Sequence, residues 1–157
     1  MPSKNQTKKQ KTGFTIIEVV LVLAIAGLIF LMVFVALPAL QRSQRDTQRR
    51  QDIAEIATAI TQYQSNNGGG LPQDGKETDF KNDYLNGGKY DPDGSEYALD
   101  VKAFATGLTA PTTFSNHELW IVTSASCDGE KVKQGSARDY AVLYKLEGAG
   151  VYCVDNK

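Results

Sequence analysis

The chain has 157 residues, 41% of them hydrophobic, with 17 basic and 18 acidic side chains and a formal net charge of −1. That length, with one apolar anchor at its start, leaves room for a single small head and excludes two full domains. The near-neutral total hides a split: residues 1–13 carry four lysines and no acid, and the rest carries 13 basic against 18 acidic residues, or −5. Broad nucleic-acid binding through a basic surface therefore has no support.

In chain order, Lys4, Lys8, Lys9 and Lys11 form a basic leader ahead of Gly13-Phe14-Thr15-Ile16-Ile17-Glu18. Val19 to Leu37 then runs without a charged side chain, and 19 residues at ~1.5 Å each give roughly 28 Å, close to the hydrocarbon thickness of a bilayer. An ionised carboxylate such as Glu18 at the edge of such a span costs several kcal/mol without a cation and marks a functional position. A cleavable secretory signal fits poorly, because the apolar run is about twice the usual length and no Ala-x-Ala site follows it. Counting lysines and arginines on the two sides gives a tie, since Arg42, Arg45, Arg49 and Arg50 balance the leader.

These residues resemble the type IV pilins and related pseudopilins, whose signature is a short basic leader, a glycine, then Phe-Thr-hydrophobic-hydrophobic-Glu and an apolar helix. The resemblance is specific over residues 8 to 40. It implies that a membrane prepilin peptidase cuts between Gly13 and Phe14 and methylates the new Phe14 amine. It also implies that Glu18 pairs with that ammonium on a neighbouring copy during assembly. At ~4 Å and an effective dielectric near 20 the attraction is on the order of 4 kcal/mol. The implied fold is α+β: a long N-terminal helix, half transmembrane and half amphipathic, packed on a small antiparallel sheet of three or four strands. The implied partners are copies of the same chain in a helical filament, the peptidase, a membrane platform protein and a cytoplasmic assembly ATPase. The implied route runs from the cytoplasmic membrane, as a single-pass precursor, to an extracellular filament.

The expected organisation is a cleaved leader at 1–13, an assembly helix at 14–40, its amphipathic continuation at 41–67 and a globular head at 68–157. Gly27 and Pro38 weaken the helix locally; the proline falls about three residues later than in the best-known pilins. Past Pro38, Leu40, Ile53, Ile56, Ala57, Ile60 and Tyr63 fall largely at steps of three and four and predict one apolar stripe. Arg42 with Asp46, and Asp46 with Arg50, stand four apart and are expected to pair on the solvated face. Three glycines at 68–70 and Pro72 end the helix. Residues 71–95 read as a connecting loop with short elements. Strands are expected at 97–101, 119–123, 140–146 and 151–154, the last two joined by a turn at 147–150.

Cys127 and Cys153 are the only cysteines. In an exported head two cysteines usually form one bridge, and the resemblance points the same way; free thiols or a metal pair remain open. Asp91-Pro92-Asp93-Gly94 contains a fragment of a calcium loop, with Asp91 and Asp93 as ligand candidates, but reads first as a turn. His117, the sole histidine, has no nucleophile motif beside it and is expected at the surface. Catalysis and a bound cofactor are not expected. A structural filament subunit serving adhesion, twitching motility or DNA uptake is the leading reading. A pseudopilin of a type II secretion or competence system is the alternative, and a membrane-anchored extracellular binding module the second.

Overall fold

The computed structural model describes residues 13–157 apart from 115 and 149; the leader lysines lie outside the described residues. Two compact units divide the chain, one ending at Leu40 and the other comprising Gln41–Lys157. A single helix, α1 (Ile16–Asn66), contributes to both. Thr15 starts it, its carbonyl accepting from the backbone N–H groups of Glu18 and Val19 at 3.1 and 3.3 Å. Pro38 lies inside the helix, and the helical assignment continues through it. The helix stops where Gly68 and Gly69 take positive φ, and the Gly69 N–H reaches back to the Gln64 carbonyl at 2.7 Å.

Within the first unit the side chains of α1 are apolar and exposed: Phe30 is 64% and Phe34 73% accessible. This is the one helix among the described residues long and apolar enough to cross a membrane.

In the second unit α1 lies on a four-stranded sheet of order β1-β2-β5-β6, with β1 at Ala98–Ala103, β2 at Glu118–Thr123, β5 at Tyr140–Lys145 and β6 at Val151–Asp155. A separate hairpin pairs β3 (Ala125–Asp128) with β4 (Lys131–Gln134). β2–β5 and β5–β6 are antiparallel, but β1 and β2 are parallel, which corrects the expected all-antiparallel order. A parallel neighbour requires a crossover. Residues 104–117 supply it as a loop that packs Phe104, Leu108 and Ala110 against the sheet face turned away from α1.

The sheet therefore has a core on each side. Toward α1, Ile53, Ile56 and Ile60 meet Leu119, Ile121, Val142 and Tyr144, all essentially inaccessible. On the other face Val122, Ala141 and Leu143 are covered by the crossover and the hairpin. Burial on both faces explains why β5 lacks the polar–apolar alternation of a half-exposed strand. Leu40, expected on the apolar stripe, is instead 56% exposed.

The expected loop after α1 contains a helix, α2 (Glu77–Tyr84). Phe80 and Tyr84 are one turn apart and stack at 5.7 Å, and both meet the edge of Tyr63 of α1 at 5.9 and 5.3 Å. Glu77 and Asp79 in its first turn complement the helix dipole. Its end is set by Asn86 and Gly87 at positive φ, with the Gly87 N–H bonded to the Lys81 carbonyl at 3.0 Å.

Candidate assembly site and the ion network of the head

At the amino-terminal motif, Gly13 to Thr15 precede the helix and Glu18 stands in its first turn. Phe14 is 85% exposed. Nothing lies within 4 Å of where a Cβ would stand on Gly13 or on Gly27, so packing within this chain requires neither glycine. Glu18 is exposed among apolar neighbours and forms no ion pair among the described residues. An ionised carboxylate in so apolar a surface is costly to bring out of water without a cation beside it.

The head buries charges, among them Asp46, which the sequence reading placed on a solvated face. Arg49 is fully buried and donates from Nε and one terminal nitrogen to both oxygens of Asp91, each at 2.7 Å. Its other terminal nitrogen reaches Asp46 at 2.9 Å and Glu147 at 3.1 Å. The ring of Phe114 lies beneath the guanidinium at 4.5 Å. Burial opposes the charge, but the hydrogen bonds to Asp91, Asp46 and Glu147 outweigh it and raise the Arg49 pKa. Burial raises the Asp91 carboxyl, but its bonds from Arg49, with those from the Asp93 N–H and the Tyr144 hydroxyl, outweigh that and hold it below the ordinary range.

Arg45 grips Glu147 with two parallel hydrogen bonds of 2.8 and 2.6 Å. These bonds, opposed by partial burial and reinforced by Arg49, pull the Glu147 carboxyl down to about 2. Asp46 accepts the backbone N–H groups of Glu147 and Gly148 at 3.0 and 2.8 Å. The β5–β6 turn is thus fastened to α1 by charge. The expected pairing of Asp46 with Arg42 and Arg50 is not formed: Asp46 is buried with Arg49, and Arg50 stacks over the ring of Tyr152 at 4.7 Å. The spacing could have shown this. Asp46, Arg49, Ile53, Ile56 and Ile60 continue one stripe at steps of three and four, so these two charges belong to the core-facing side.

Asp91 to Ser95 form the expected turn, closed by Gly94 N–H to Asp91 carbonyl at 2.8 Å with Gly94 at φ 92°. His117 stands at the entrance to β2, as expected, but is half-buried rather than freely exposed. Its φ is 48°, its Nδ1 lies 3.3 Å from the Tyr144 hydroxyl, and its Nε2 lies 3.3 Å from Asp93. Asp91, Asp93 and His117 bring their ligand atoms within 4.8 Å of one another. Even so, the donor set does not fit calcium. Both Asp91 oxygens already accept from Arg49, one also accepts the Tyr144 hydroxyl at 2.9 Å, and a fixed guanidinium repels a second cation.

Cys127 of β3 and Cys153 of β6 are joined in a disulfide with Cα atoms 5.9 Å apart. The Asp155 carboxylate accepts the Cys127 N–H at 2.7 Å beside it. The bridge ties the separate hairpin to the edge strand of the main sheet. The hairpin itself escaped the sequence reading, although Asp128-Gly129 is a turn signal of the usual kind.

A long N-terminal helix laid on a small, mostly antiparallel four-stranded sheet, with a second sheet beside it, is an α+β, type IV pilin-like architecture. Residues 8–34 match the family described as the prokaryotic N-terminal methylation motif, and this segment is the type IV prepilin and pilin-like signature. Comparison with curated proteins and with solved structures gives no match.

Proposed function

We propose that the protein is a structural subunit of a type IV pilus, cut between Gly13 and Phe14, methylated at Phe14 and polymerised through its apolar helix. The observation that carries this reading is Glu18. It stands as the lone carboxylate at the start of the apolar, exposed first half of α1, within a segment that matches the methylation motif. An ammonium created at Phe14 of an incoming copy supplies the cation, and docking offsets the cost of holding either charge in lipid. Before assembly the same helix anchors the chain in the cytoplasmic membrane; afterwards the head is displayed outside the cell. Assembly then draws on the prepilin peptidase, a platform protein and a cytoplasmic ATPase. The disulfide, and an Asp91 carboxylate committed to Arg49, favour a surface pilus over a calcium-bearing pseudopilin of a secretion machine. The architecture serves scaffolding, and no catalytic step is assigned to it.

Glu18→Ala and Gly13→Leu separate the two events. Because nothing in the fold crowds Gly13, a bulky residue there is expected to leave the head folded and to block cutting. Glu18→Ala is expected to be cut normally and to yield few filaments. Normal filaments from Glu18→Ala cells would remove charge pairing as the assembly device.

A further inference from the structure

The head carries opposite charges at opposite edges of one sheet. At the β6 edge, Arg50 is exposed, has no carboxylate partner among the described residues, and is held in place by stacking on Tyr152. Arg42 is also exposed on this side, 3.7 Å from Glu147 of the β5–β6 turn. At the β1 edge stands α2, whose Glu77 carboxylate accepts the Val101 N–H of β1 at 3.4 Å. Phe80 and Tyr84 turn one face of α2 toward α1, while Asp79 and Asp83, one turn apart, are exposed on another and have no cation partner among the described residues.

Several neighbouring charges at each edge are already engaged. Lys81 pairs with Glu96, Asp155 accepts the Cys127 N–H, and Glu147 is taken by Arg45 and Arg49. Lys76, just before α2, is the cation left beside the acids.

We infer that the Arg50–Tyr152 edge of one copy docks on the Asp79–Asp83 face of α2 in the next copy. The inference rests on the filament reading above and adds to it a contact between heads. The two patches differ and sit on opposite sides of a four-stranded sheet, roughly 14 Å across at ordinary strand spacing. A two-fold dimer built through either edge alone would bring that patch against its own kind. A head-to-tail contact instead satisfies one patch with the other and repeats without closing, which is the geometry of a fibre. Stacking on Tyr152 fixes the Arg50 guanidinium before contact, so less side-chain freedom is lost on docking.

The test reverses each side and then both, in cells that make the full chain. Arg50→Glu alone, and Asp79→Lys with Asp83→Lys, are each expected to lower sheared filament by about tenfold or more, because like charges then face each other across the contact. The amount of processed chain in the membrane is expected to stay unchanged. Combining all three substitutions restores the attraction in the opposite sense and is expected to recover filaments, which also rules out misfolding as the cause. The neutral variants Arg50→Gln and Asp83→Asn are expected to give smaller losses. If the reversals shear like the unsubstituted chain, or if the combination is as poor as its parts, the contact is wrong. If the unsubstituted chain is itself absent from sheared filaments, the filament reading falls and this contact with it.

Discussion

Glu147 shows how much of the head depends on single ionised residues. Its carboxyl is held at about 2 by Arg45 and Arg49, below the ordinary value near 4.3 that it has in an unfolded chain. A depressed carboxylate contributes stability that is fully present above its unfolded value and is lost as pH falls through its folded value. Asp91 is shifted the same way by Arg49, whereas burial raises Asp52, which works in the opposite sense. Thermal unfolding of the detergent-solubilised chain, followed by near-ultraviolet circular dichroism, is expected to be steady from neutral pH down to about 5 and to weaken between about 4.5 and 2. Glu147→Gln should be less stable at neutral pH and show a shallower acid decline. An acid profile identical to the parent's would show that the clasp adds nothing.

At the scale of elements, the disulfide and the clasp fasten different parts of the head. The clasp holds the β5–β6 turn to α1, and the bridge between Cys127 and Cys153 holds the β3–β4 hairpin to β6. The bridge joins cysteines 26 positions apart, and chain entropy alone gives it a contribution of about 3.5 kcal/mol. Paired Cys127→Ser and Cys153→Ser substitutions should lower stability by about that amount. Hydrogen exchange should rise first in β3 and β4, while β2 and β5, the two central strands of the main sheet, keep their protection. Equal loss of protection across all six strands would mean that the hairpin is not a separate unit.

Elements with strong periodicity were legible in the sequence, and those made by tertiary contact were not. The apolar run of α1, the glycines that end it and the four strands of the main sheet all announce themselves through local pattern. The parallel placement of β1 beside β2 depends on a crossover that packs only because the outer sheet face is apolar. No local pattern encodes that. α2 is eight residues long and rich in charge, and it is held by two aromatic rings meeting Tyr63 rather than by helix propensity. Asp46 reads as a surface charge because that is where such residues usually lie, although the stripe it shares with Arg49 faces the core. Their burial depends on Asp91, 42 positions away from Arg49.

For the molecule as a whole, the two units differ in composition and packing. The first presents an uninterrupted apolar helix that begins with a small motif and one acid. The second is a head cross-braced by the Arg49–Asp91 pair and the disulfide. The motif was readable because it is contiguous, and its chemistry follows from one exposed carboxylate in an apolar setting. The intact mass of the protein in sheared filaments, taken with and without reduction, tests the central claim most directly. The account predicts a chain that begins at methylated Phe14 and is two hydrogens lighter before reduction. A full-length chain beginning at Met1 that stays in the membrane fraction would contradict it.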